Sequence, residues 1–133
     1  METVEFAFPG PLRDALVASI LRGDKTSTSA LAVHYDGEEL PRVGERLSVV
    51  DSAERGVAVI EVTEVRLLPL SEVDVEHAIA EGEDYSTVAG WRAEHEKFWH
   101  SPEVREELGD PEFTVTDDSI VVAWRFRLVE STT

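Results

Sequence analysis

Cysteine is absent from the chain, which excludes disulfides, thiolate nucleophiles and any cysteine-ligated zinc site. Lysine is almost absent: among 133 residues only Lys25 and Lys97 occur, and the remaining basic residues are arginine. Long apolar runs are missing as well, since none approaches the roughly 18–20 residues needed to span a bilayer. The opening Met1-Glu2-Thr3-Val4-Glu5 has neither the basic stretch nor the apolar core of a secretory signal. Together these absences predict a cytoplasmic protein without a membrane role. Positive charge is scarce, with 12 bases against 28 acids and a formal charge of −16. Proteins hold long nucleic acids by neutralising phosphates with Lys and Arg. A net-negative surface therefore disfavours tight binding to a long polymer, leaves DNA unexpected, and suits a small ligand or a short strand. The same charge would follow from a solubility adaptation or from a genome that prefers arginine. No Gly-rich phosphate loop occurs, because Gly10 and Gly23 stand alone, and no HxH or HExxH spacing supports a histidine-based metal site.

What is present is an ordinary globular composition, 42% hydrophobic, and a length that makes residues 1–133 one domain with a real core. Pro11 to Leu21 reads as a helix with proline in its first turn and Leu12, Leu16 and Ile20 on one face. Gly23 then suits a left-handed residue closing the helix. Thr28 to Val33 reads as a strand followed by a Tyr35-Asp36-Gly37 turn. Pro41 to Glu45 is a second turn, before strands at Arg46 to Val50 and Val57 to Leu68. Ser71 to Asp74 resembles a capping box opening a helix through Ala80. Ser86 to His100 reads as another helix, with Val88, Trp91, His95, Phe98 and Trp99 on or near one face. Ile120 to Val129 is the final strand. This order predicts an α+β fold around a small β-barrel with flanking helices.

Three groups carry candidate chemistry. Lys25 sits in Gly23-Asp24-Lys25-Thr26-Ser27-Thr28-Ser29, an amine among hydroxyls just behind a helix end. Burial can lower a lysine pKa far enough to make it a base or nucleophile, which arginine cannot become. The competing interpretation is a polar turn whose hydroxyls satisfy local backbone groups. Glu81-Gly82-Glu83-Asp84-Tyr85 follows a helix. Glu83 and Asp84 read first as solvated charges and otherwise as ligands of a hard divalent cation, while Glu81 is the one the helix pattern turns inward. His77, His95 and His100 lack metal-site spacing; His95, four residues from Trp91, reads as core or edge packing rather than as a ligand, and Trp91 and Trp99 as core rather than as a base-stacking platform.

The order of these segments resembles the ASCH domain, a PUA-like β-barrel family linked to RNA. The match runs from Phe6-Ala7-Phe8-Pro9-Gly10 to Phe126. It includes Gly23-Asp24-Lys25-Thr26-Ser27-Thr28, Leu40-Pro41-Arg42-Val43-Gly44-Glu45, Ile60 to Val65, and His77 to Asp84 with Trp91 and His95-Glu96-Lys97-Phe98. The subgroup it most resembles is the stand-alone bacterial one. Some small members of the family hydrolyse the amide of N4-acetylcytidine with a Lys, a Thr and a Glu, which fall here on Lys25, Thr28 and Glu81. Other members are ribonucleases, and others only bind RNA. The resemblance thus implies a hydrolase of a modified nucleoside needing no metal or cofactor. The alternatives are a single-stranded RNA nuclease, divalent-metal dependent in one version, and a non-catalytic RNA-binding module. The implied partner is a small nucleoside or a short single-stranded RNA. Thr26, Ser27, Ser29, Tyr35, Arg42, Arg46, Tyr85 and Trp91 are the expected cleft-lining residues. Ala30 stands where a common family pattern has arginine, which removes a bidentate phosphate or carbonyl contact.

Overall fold

A computed structural model describes residues 1–35 and 37–131; Asp36, the middle of one expected turn, lies outside them. Among the described residues, five strands and four helices make an α+β arrangement: β1 Glu2–Val4, α1 Pro11–Arg22, β2 Ser27–Leu31, β3 Arg46–Val50, β4 Gly56–Pro69, α2 Val75–Ala80, α3 Val88–Trp99, α4 Pro102–Leu108 and β5 Ile120–Ser131. The strands form one sheet in the order β1-β3-β4-β5-β2. Only β1–β3 is parallel; the other ladders are antiparallel. The ladders make a row from β1 to β2, and among the described residues no ladder joins its two ends. Two bulges bend the long β4–β5 ribbon, between Val59 and Ile60 and between Val62 and Glu64. Bulges of this kind turn a sheet without breaking it.

Alternation along β5 divides the interior in two. Val122, Trp124 and Phe126 face a core shared with Phe6, Val17, Ile20, Leu47, Val49, Ile60 and Val62. Val121 and Ala123 face the opposite way, into a second core with Leu31, Leu70, Val73, Ala78, Trp91 and Trp99. The period-2 pattern of the strand therefore serves the sheet on one side and the helical layer on the other.

Local chemistry explains where elements stop. Gly23 adopts φ 84° and donates its N–H to Ile20 O, as a left-handed closing residue does. β2 ends at Leu31, where a 3-10 turn over Ala32–Tyr35 replaces the expected continuation to Val33. α2 is capped by Asp74, whose side chain accepts the His77 N–H. Ser71 is not the cap, because Leu70–Glu72 is a 3-10 turn tied to the strand approach by Leu70 N–H to Ser119 O and Ser71 N–H to Asp117 O. Thr87 caps α3. β1 and α4 are additions to the expected elements, α4 being bracketed by Ser101, Pro102 and Gly109.

Candidate active site

A six-residue helix leaves its last carbonyls without partners inside the helix; at the end of α2 Glu81 and Gly82 N–H reach back to His77, Ala78 and Ile79 O, and further donors come from the turn that leaves α1. Thr26 N–H donates to Ala80 O at 2.7 Å, Ser27 Oγ to His77 O at 3.0 Å, and Ser19 Oγ to Gly82 O at 3.2 Å. The Lys25 amine donates to Glu81 O at 3.3 Å and to Ser27 O at 2.9 Å. The turn leaving α1 is thus stitched onto the end of α2, and Gly82 makes the approach close. Its φ is 72°, and a Cβ there would lie 2.7 Å from both Asp24 O and Ser19 Oγ. This junction places Lys25 beside Glu81.

Both are buried, Lys25 at 2% exposure and Glu81 at 1%, with Lys25 Nζ 3.9 Å from Glu81 Oε1. Glu81 is crowded with donors. Its Oε2 accepts from Trp91 Nε1 at 2.6 Å and Ser29 Oγ at 2.7 Å, with His77 Nε2 at 3.2 Å. Its Oε1 accepts from His95 Nε2 at 3.0 Å. Burial pushes this carboxyl up, but hydrogen bonds from His77 and His95, with the charges of His95 and Lys25, outweigh it and hold Glu81 well below the carboxylate range. His95 Nδ1 faces the Trp91 carbonyl at 2.8 Å while Nε2 faces the carboxylate. Two acceptors assign protons to both nitrogens. Burial lowers the His95 pKa, yet the Glu81 hydrogen bond and charge raise it overall. The ring lies stacked on Trp91 with centroids 4.3 Å apart. His77 Nε2 sits 2.7 Å from Ser29 Oγ, and buried Nδ1 has no partner, so its proton belongs on Nε2. For Lys25, burial lowers the pKa, and the opposing charges of Glu81 and Glu83 do not restore it.

Of these groups Lys25, Ser29, Glu81 and His95 open onto a cleft of about 310 Å³. Lys25, Thr28, Ser29, Glu81, Glu83, Tyr85 and His95 line the polar side, and Ala7, Leu12, Leu16 and Phe98 the apolar side. A family model described as the ASCH domain matches residues 4–130. The chain belongs to the ASCH domain family. That family is associated with RNA-related functions. An ASCH domain structure from Lactobacillus crispatus is 26% identical, with a TM-score of 0.82, covering 96% of this chain and 78% of that one. A crystal structure from Enterococcus faecalis, assigned to family DUF984, is also 26% identical with a TM-score of 0.84, covering 100% of this chain and 78% of that one. Among curated proteins none matches.

The three positions that the ASCH resemblance singled out, Lys25, Thr28 and Glu81, thus share one cleft, and Ser29 and Tyr85 line it with them. The other expected lining residues lie elsewhere. Thr26 is exposed and Ser27 buried, both engaged at the α2 end. Tyr35 packs against the sheet core. Arg42 pairs with Glu39 at 3.8 Å and Arg46 with Glu61 at 3.2 Å, both on the surface. Trp91 is fully buried behind Glu81. Isolated charges on strands and turns carry no sequence signal of where a cleft will open, which is why the arginines misled. His77 and His95 were underestimated: packing describes their rings, whereas their nitrogens organise the carboxylate. Their spacing offered a clue, since His77 precedes Glu81 by one helical turn.

Glu81, Glu83 and His95 offer three ligand atoms within 4.8 Å of one another. This set fits a divalent cation poorly. Both His95 nitrogens face acceptors and both Glu81 oxygens are occupied.

Proposed function

We propose that this ASCH domain hydrolyses the amide of a small modified nucleoside of the N4-acetylcytidine type, with Lys25 as base, Thr28 presenting or supplying the attacking oxygen, and Glu81 fixing the lysine. One observation carries the reading: a lysine, buried and short of an ordinary ammonium's hydration, opens onto a cleft beside Thr28. Two of its hydrogen-bonding directions are spent on carbonyls. In the neutral form a lone pair remains to take the proton from the attacking oxygen. Glu81 holds the end of the lysine and keeps His95 charged, so positive charge stands near the place where a carbonyl oxygen becomes an oxyanion.

The lining favours a nucleoside over a strand. Among the described residues no arginine lines the cleft, Ala30 occupies β2 opposite Val122, and three carboxylates, Glu81, Glu83 and Glu94, line it. A ribonuclease or an RNA-binding module would be expected to present cations to phosphates.

Incubation of the purified protein with N4-acetylcytidine, following cytidine release, tests the reading. Lys25→Ala is expected to lower turnover about 10²–10⁴-fold, and Lys25→Arg is expected not to restore it, because a guanidinium does not give up its proton at working pH. No release by the unaltered protein, or equal release by Lys25→Ala, overturns it. Cleavage of a short single-stranded RNA under the same conditions would favour the nuclease instead.

A further inference from the structure

Hydrolysis of an amide takes a proton from the attacking oxygen and delivers one to the departing nitrogen, tasks that one group performs in turn or two groups divide. Glu81 is badly placed for the second task. Three donors crowd its Oε2 and a fourth holds its Oε1, all within 3.2 Å, so a proton there would have to displace hydrogen bonds the fold has committed. Resting on the amidohydrolase reading above, we propose that Glu83, two residues on, is the general acid of the cleft, while Glu81 is a positioning residue.

Glu83 has the right placement. It lines the cleft with Lys25, Thr28 and Tyr85, is partly buried, and brings a carboxylate oxygen within 4.8 Å of ligand atoms of Glu81 and His95. Its orientation comes from the backbone. Gly82 and Asp84 both take positive φ, 72° and 62°, so the chain folds sharply on either side of Glu83 while Gly82 is clamped against Asp24 and Ser19. The charged groups that line the cleft with it are Lys25, Glu81, His95, Glu94 and Lys97, together with Tyr85. Burial pushes the Glu83 carboxyl up. Lys25 opposes this and Glu81 reinforces it, and the net direction is upward. Two neighbouring carboxyls are thereby driven apart, one kept ionised and one able to hold a proton, an arrangement that separates acid from base in carboxylate enzymes.

The protons balance. A water presented by Thr28 bonds through its oxygen to the carbonyl carbon, one of its protons passes to the neutral Lys25 amine, and its other proton stays on the acid that is released. The carbon–nitrogen bond breaks as the nitrogen takes the proton of Glu83. Lys25 has then gained one proton and Glu83 has lost one, and a single return transfer across the cleft resets the pair.

Two measurements test this. In Glu83→Gln, release of cytidine from N4-acetylcytidine is expected to fall about 10²–10⁴-fold, with loss of the alkaline limb of the kcat/KM profile. Hydrolysis of a nitrophenyl acetate, whose leaving group needs no proton, is expected to change less than about threefold. Independently of any substrate, carboxyl-carbon NMR is expected to show Glu83 titrating above the ordinary carboxyl range and Glu81 below it. Ordinary titration of Glu83, or an unchanged amide profile in Glu83→Gln, overturns the assignment. Absence of amide turnover in the unaltered protein, with the elevated titration intact, supports the proton-holding carboxyl and overturns only the amidohydrolase reading.

Discussion

Among the described residues one arginine and one lysine are buried, Arg13 at 1% exposure and Lys25 at 2%, and they have opposite uses. Arg13, on α1, donates to the carbonyls of Ala7 at 2.8 Å and Asp51 at 3.3 Å, and to Glu5 at 3.1 Å. Its counter-ion is largely in solvent, the Glu5 side chain being 56% exposed. A guanidinium is permanently charged, presents several donors in a fixed plane, and suits the pinning of chain segments. Here it ties the start of the chain to the β3–β4 connection. Lys25 has its carboxylate in the interior, one wall open to a cleft, and a charge that burial can remove. Burial of a cation is therefore no mark of a site; the marks are a titratable group, an interior partner and access to a cavity.

The contrast can be broken most forcefully at Glu81. Glu81→Gln strips the carboxylate from under two histidines and a lysine, and a buried pair that loses one member costs about 3–5 kcal/mol. A large drop in the urea midpoint together with loss of turnover is expected, and an unchanged midpoint would contradict the network. Arg13→Met comes next, with two carbonyls and a carboxylate losing their donor and about 1–3 kcal/mol lost. Because Ala7 lines the cleft, KM is expected to rise while kcat stays within a few-fold; a kcat loss matching that of Lys25→Ala would erase the distinction between the two cations.

A smaller effect sharpens the comparison through pH. The His95 pKa is raised from its ordinary 6.5 in the folded state, so its contribution is full below pH 6.5 and is lost as pH rises through the folded value. Glu81 is depressed from 4.5, so its contribution is present above pH 4.5 and is lost as pH falls through its folded value. His95→Gln is expected to flatten the alkaline decline in stability that begins above pH 6.5, as measured by urea unfolding across that range. An unaltered slope would show that His95 is not charged in the fold. Smallest of all, Arg46→Ala removes an exposed pair with Glu61, for a barely detectable shift in the urea midpoint and no change in turnover.

How far the sequence reached follows the same division. α1, β3, β5 and the end of α2 were legible because proline, glycine and apolar period are local signals. Lys25 stood out by rarity, and Thr28 and Glu81 through the order of segments. Arg13 passed unnoticed because its partners, Glu5, Ala7 and Asp51, are brought to it by the tertiary fold. The donors around Glu81 were hidden for the same reason, Ser29 lying 52 residues before it in the chain. β1 is a three-residue edge strand with too little pattern to detect. α4 carried its signals, Ser101 before it, Pro102 opening it and Gly109 after it, and its brevity concealed them.

The stitching of α2 has a dynamic side. Six residues cannot sustain a helix by themselves, and the carbonyls at its end are occupied by Ser19, Lys25, Thr26 and Ser27. The turn and the helix must therefore open as one cooperative unit, exposing the amides of Thr26 and Glu81 to exchange together. Such an opening would scatter Lys25, Glu81 and their donors while the apolar core behind β4 and β5 stayed closed. The molecule would lose its cleft under milder denaturation than it loses its shape.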